Sequence, residues 1–339
     1  MSTNENPQCP DCTETIDQSS LDRRRFIQVA SGAATALVSG GVLANPGQIM
    51  AQNPAPAPKA ARPAEALIRE LHATLTDEQK QIVFLPWNHV FCKRVFNAAM
   101  NVRINQIYTQ PQQELLQRIV RAISSDEAGF RRLSRNGTWD TGGGFAGCGA
   151  NFFGDMADGE KWAWVFSGHH LTVRCDGDSE PDTAFGGPMY YGHGADGHSQ
   201  RNVFNYQTRA VTNVFDALSE QQRRRAVITS GNPGETPRSF AFRDEHPGLA
   251  ASELSGDQLR LVETVMREIL SPYRREDAEE VMRIVRRNGG LPRVHLAFYR
   301  DQGATEQTRW HFWRLEGPGF VWYYRVLPHV HCYVNIAAV

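Results

Sequence analysis

Trp310-His311-Phe312-Trp313-Arg314-Leu315-Glu316-Gly317-Pro318-Gly319-Phe320-Val321-Trp322-Tyr323-Tyr324-Arg325-Val326 is the stretch that decides the fold class. Both arms are rich in aromatic and β-branched residues, which suit a pleated, half-buried surface. Gly317-Pro318-Gly319 between them has the composition of a turn. The arms therefore read as two hairpin-like strands, Trp310–Leu315 and Phe320–Val326. Lys161–Phe166, Leu171–Cys175 and Arg293–Tyr299 share the same character. Alternation puts Trp162 and Trp164 on one face, and core packing accounts for most of these aromatics.

Outside these stretches the pattern is helical. Ala66, Leu67, Leu71 and Leu75 give Pro63–Leu75 an apolar face. Thr76-Asp77-Glu78-Gln79, Ser219-Glu220-Gln221-Gln222 and, more loosely, Ser255-Gly256-Asp257-Gln258 read as capping boxes, each preceded by leucine. Their spacing is irregular, so they read as three helix starts and not as a repeat. Pro111–Ile123, Ser125–Leu133, Gln258–Leu270 and Glu276–Val285 are further helices. Helices and strands come in blocks, without regular βαβ alternation. The expectation is an α+β fold, an antiparallel sheet with flanking helices, in a single domain over residues 64–339.

The chain has 339 residues, 41 % of them hydrophobic, with 36 Lys+Arg against 37 Asp+Glu. That composition is globular. A formal charge of −1 argues against a dedicated nucleic-acid binder. The mean hydropathy of −0.46, with no long apolar run after residue 44, argues against a polytopic membrane protein.

The first 51 residues read as an address. Arg23, Arg24, Phe26 and Ile27 precede an uncharged, mildly apolar stretch from Ile27 to Ala44, which resembles a twin-arginine export signal. Cleavage candidates end at Ala44 or Ala51. The partner implied is the twin-arginine export machinery, and the destination is periplasmic or extracellular. Uncleaved, the segment would be an N-terminal membrane anchor; cleaved, it leaves no integral membrane domain. Residues 52–63 form a Pro/Ala linker that favours polyproline II. Cys9 and Cys12 precede the signal and lack the second ligand pair of a zinc site. Cys92, Cys148, Cys175 and Cys332 would meet an oxidising compartment as one or two disulfides, or stay as isolated buried thiols.

The candidate chemistry lies in the histidines. Ser167-Gly168-His169-His170 and Pro328-His329-Val330-His331 hold four of the eleven. If Leu327–Asn335 is extended, His329 and His331 point to one face. His169 and His170 point apart unless the chain bends at Gly168. The simplest constellation is His329, His331 and one of the adjacent pair around a divalent metal, zinc or copper. Tyr190-Tyr191-Gly192-His193-Gly194-Ala195-Asp196-Gly197-His198 reads as a glycine-rich loop in which His193 and His198 are candidates for catalytic proton transfer. Gly142-Gly143-Gly144-Phe145-Ala146-Gly147 matches Gly-x-Gly-x-x-Gly in letters, but no apolar strand precedes it and no clear helix follows.

Several strings together resemble the bacterial domain of unknown function 3500 family. They are Leu75-Thr76-Asp77-Glu78-Gln79, Trp164-Val165-Phe166-Ser167-Gly168-His169-His170-Leu171, His246-Pro247-Gly248-Leu249 with Leu254-Ser255-Gly256-Asp257-Gln258, Gly317-Pro318, and His329-Val330-His331. The resemblance covers roughly residues 65–335 and implies export and a shared site, with no activity attached. The reading is an exported, histidine-ligated metalloenzyme, hydrolytic or redox, acting on an unknown small-molecule substrate. The alternative is a non-catalytic periplasmic protein that binds a ligand or partner, with a metal-independent acid/base hydrolase between the two.

Overall fold

The computed structural model describes residues 63–229, 234–235, 237–300 and 309–339. The export segment, Cys9, Cys12 and linker residues 52–62 lie outside them. Helix α1 (Pro63–Thr74) leads into α2 (Asp77–Val83), where the Thr76 side chain accepts from the Gln79 N–H and the Gln79 side chain accepts from the Thr76 N–H. Short strand β1 (Phe84–Leu85), α3 (Ile104–Ile107), α4 (Gln110–Ile123) and α5 (Glu127–Leu133) follow. A meander of β2 (Gly149–Gly154), β3 (Trp162–Gly168), β4 (Leu171–Cys175) and β5 (Met189–His193) completes the first half.

The second half runs through nearly the same order, with a short strand where the first has α3. It has α6 (Asn205–Ala217), a capping-box helix α7 (Glu220–Ala226), short strands β6 (Val227–Ile228) and β7 (Leu249–Ala250), α8 (Gly256–Leu270) and α9 (Arg275–Arg287). It then closes with β8 (His295–Tyr299), β9 (Phe312–Gly317), β10 (Phe320–Arg325) and β11 (Val330–Ile336).

Among the described residues all eleven strands join one sheet, ordered β1-β2-β3-β4-β5-β11-β10-β9-β8-β6, with β7 added beside β8. The order is a palindrome centred on the antiparallel pair β5·β11. The sheet is mixed, because β1 pairs with β2, and β6 with β8, in parallel. That corrects the expected antiparallel sheet. Two-residue strands placed directly after a helix carry too little pattern to show their direction.

The halves also share their hydrogen bonds. Gln79 Nε2 donates to Ile107 O and to Gln112 Oε1, while Gln112 Nε2 donates to Thr74 O. Gln222 Nε2 donates to Glu253 O and Gln258 Oε1, while Gln258 Nε2 donates to Ala217 O. In each half two capping glutamines pair between helices, and the second of them reaches the last carbonyl of the half's first helix. The irregular capping boxes thus belong to two copies of one unit, which spacing alone conceals because the intervening loops differ in length.

One sheet face, with Trp164, Phe166, Trp313, Trp322 and Tyr324, packs under the helices as the main core. The opposite face carries a smaller aromatic cluster that includes Tyr190, Phe312, Tyr323 and Tyr333. Cys92, Cys148, Cys175 and Cys332 are buried free thiols, so the disulfide expectation is not met. Tyr190–His193 is strand, not loop; the loop begins at Gly194. No helix among the described residues is long and apolar enough to cross a membrane.

Candidate metal centre

Three histidines meet at the central seam of the sheet. His170 is the second residue of the two-residue turn between β3 and β4. His329 lies just before β11, and His331 lies on it, opposite Gly192 of β5. His170 Nε2 is 3.1 Å from His329 Nε2, and His329 Nε2 is 2.8 Å from His331 Nε2. Each of the three offers a ligand atom within 4.8 Å of the others, and all three residues are buried. Gly192 makes this approach feasible. A Cβ there would sit 2.3 Å from Val330 O and 3.1 Å from the His331 ring.

Carboxylates hold the far sides of two of the rings. His170 Nδ1 lies 2.9 Å from Asp140 Oδ2, and His331 Nδ1 lies 2.7 Å from Glu235 Oε2. A carboxylate accepts, so each Nδ1 carries the proton and each Nε2 presents a lone pair inward. Lone pairs aimed at one point repel unless a proton or a cation lies between them. A tetrahedral ion with metal–nitrogen bonds of about 2.0 Å would space such nitrogens at about 3.3 Å. The observed spacings are close to that, and the carboxylate–histidine pairing is the usual outer shell of metal-bound imidazole.

Burial sets the electrostatics. It lowers the pKa of His170 to about 3 against the opposing bond from Asp140, and that of His329 to about 3, aided by the neighbouring His170 and Arg325. Burial, then the Arg325 charge, holds His331 well below the usual range. The rings are therefore neutral, as metal ligation requires. Burial pushes the Asp140 carboxyl up, but the His170 hydrogen bond and the Arg135 charge outweigh it and keep the group ionised. Burial raises Glu235, opposed by Arg325.

Asp140 is itself held by a strained loop. Gly194 N–H donates to its Oδ2 at 3.0 Å, and the fully buried Arg135 places Nε 3.9 Å away. Arg135 Nη2 donates to His169 O at 2.8 Å, and Nη1 donates to Leu133 O. Among the described residues, five of the eight non-glycine residues with positive φ are Arg135, Asn136, Trp139, Asp140 and His170. Such backbone costs on the order of 1–3 kcal/mol per residue and persists where the surroundings fix it, commonly at functional sites.

The other candidates stand around the triad. His169 stacks on His170 with ring centroids 4.0 Å apart, but its Nδ1 is engaged with Asp140 O at 2.7 Å. His193 accepts the Val203 N–H at Nδ1, 3.1 Å away, so its Nε2–H faces Asp140 Oδ1 at 3.8 Å. It backs Asp140 and does not line the convergence point. His198 sits beside Trp310, with ring centroids 6.4 Å apart.

Sequence reading missed Asp140, Glu235, Arg325, Arg135 and Gly192. Arg325 is the one charge in Phe320–Arg325, and Asp140 directly precedes the Thr141–Gly144 turn; both signals are visible only once the triad is placed. A family model described as protein of unknown function (DUF3500) matches residues 57–334. No curated protein and no solved structure matches the chain.

Proposed function

We propose, for a chain that belongs to this family of proteins of unknown function, that His170, His329 and His331 hold one divalent metal ion through Nε2 and form the centre of a metalloenzyme. The observation that carries this is the inward convergence of three buried, neutral imidazoles, two of them fixed from behind by carboxylates. Three protein ligands leave a fourth position for water or substrate, the arrangement of a catalytic and not a structural site. Zinc fits best, because carboxylate-backed imidazole is its usual environment, and copper is the second candidate. A zinc ion there would lower the pKa of a bound water to about 7 and supply hydroxide for hydrolysis. Asp140 and Glu235 fix the tautomers, and His193 supports Asp140.

The twin-arginine pattern over Asp22–Gln28 supports export in the folded state, with the metal already loaded. Cell fractionation with and without Arg23→Lys and Arg24→Lys tests that part separately. For the centre itself, elemental analysis of untagged protein purified without chelator should find about one zinc or copper per chain. His329→Ala and His331→Ala should each abolish it. A chain that neither retains nor takes up either metal overturns the proposal and leaves the ligand-binding reading.

A further inference from the structure

The guanidinium of Arg325 reaches into the triad. Its Nη2 lies 2.9 Å from His331 Nε2 and 3.2 Å from His329 Nε2. Each imidazole Nε2 has a single lone pair, which accepts an N–H or binds a metal ion but does not do both. Metal binding therefore takes both acceptors away from a charged donor. That donor is held close by, because Arg325 Nε is 3.3 Å from Glu235 Oε1 and its side chain is only 13 % exposed. Glu235 has other work: its Oε2 holds His331 Nδ1 at 2.7 Å. With metal in place, Arg325 Nη2 would be a cationic donor beside the ion, with neither imidazole nitrogen left to accept from it.

The charge balance points the same way. Asp140 lies beside the guanidinium of Arg135 and Glu235 beside that of Arg325, so the two acids of the site are already matched by two fixed cations. A divalent ion would leave two uncompensated positive charges in a buried site, which a weakly polarisable interior disfavours strongly. An anion that bridges the metal and Arg325 removes the charge excess and satisfies the donor together, and a guanidinium suits carboxylate and phosphate oxygens geometrically.

Resting on the metal reading above, we infer that the substrate of this centre carries an oxyanion, a carboxylate or phosphate group, with one oxygen at the metal's open position and another accepting from Arg325 Nη2. Arg325 is thus a substrate-binding and specificity-determining residue. When the anion leaves and the metal is removed, its Nη2 returns to His329 and His331.

The full chain loaded with cobalt(II), whose visible absorption reports its ligands, should be titrated separately with acetate and with inorganic phosphate. The expected result is a saturable spectral change with at least one of them, the tighter binder naming the group. Arg325→Ala should keep its cobalt and bind that anion at least tenfold more weakly. Should Arg325→Ala fail to fold, Arg325→Gln, which keeps the start of the side chain but is shorter and uncharged, carries the same expectation. Cobalt-loaded protein that answers to neither anion, or an alanine variant that binds it as tightly as the parent, overturns the inference while the metal reading stands. A chain that takes up no cobalt overturns both.

Discussion

Asp140→Asn changes one oxygen to nitrogen in a residue that serves two purposes, and the structure separates them. Toward the triad, the Asp140 carboxylate fixes His170 Nδ1 at 2.9 Å. Asparagine can still accept from that N–H, but as a neutral group, so the imidazole becomes a weaker donor to metal. Losing such an outer-shell carboxylate typically costs 10–100-fold in metal affinity, about 1.4–2.7 kcal/mol. Away from the triad, the same carboxylate is the anionic neighbour of Arg135, whose side chain is 0 % exposed and whose Nε is 3.9 Å away. Removing one partner of a buried pair costs about 3–5 kcal/mol. Arg135 keeps its bonds to the Leu133 and His169 carbonyls, so the lower end, about 3 kcal/mol, is expected here. Urea unfolding of the metal-free protein reads the second effect, and competition with a chelator of known affinity reads the first. Glu235→Gln, which removes the other carboxylate, is the control. A variant that loses stability but binds metal within twofold of the parent would show that Asp140 merely braces its loop, and the two-carboxylate account of the centre would fail.

His169→Ala should keep the metal, whereas His170→Ala should lose it, because only His170 aims Nε2 at the convergence point; elemental analysis decides. Gly192→Ala should lower metal affinity at least tenfold, since its methyl would press on Val330 O and the His331 ring; chelator competition reads the effect. In the metal-free protein, His170 and His329 bind protons only near pH 3 when folded, against 6.5 unfolded. The unfolded chain therefore takes up protons first. Stability should be complete above about pH 6.5 and fall as pH drops below it, as urea midpoints across that range would show. A divalent metal held at a thousand times its dissociation constant should stabilise the fold by about 4 kcal/mol, read as a rise in melting temperature that His331→Ala abolishes.

Legibility in the sequence followed the range of the signal. Capping boxes are local, and Thr76–Gln79, Ser219–Gln222 and Ser255–Gln258 form as read. Strands with a dense aromatic run, β3, β9 and β10, were visible from composition. Strand β5 was not, because Gly192 and Gly194 look like loop residues until the approach of Val330 and His331 explains why Gly192 has no side chain. His329 and His331 were legible as a pair by alternation. The choice between His169 and His170 was not, since it depends on the turn's backbone and on Asp140 across 30 residues of chain. Glu235 and Arg325 are single charges whose meaning comes only from what the fold sets beside them.

The duplication explains where the centre is built. The hairpins β3–β4 and β9–β10 have the same form, Gly168-His169-His170-Leu171 in one half and Gly317-Pro318-Gly319-Phe320 in the other. In both, the second turn residue is left-handed, at φ 56° for His170 and 67° for Gly319. Glycine adopts that backbone freely, whereas a residue with a Cβ is strained there, by about 1–2 kcal/mol. The half whose turn supplies no ring to the triad has glycine, and the half whose turn supplies one has histidine, against local preference. The cost is offset at the seam, where Asp140 fixes the ring and the last strand of the other half delivers His329 and His331. A single unit could present at most a turn histidine or a strand pair. The complete histidine triad exists only because β5 and β11 pair at the centre of the sheet, so a site that could hold a metal is a property of the joined halves and of neither alone.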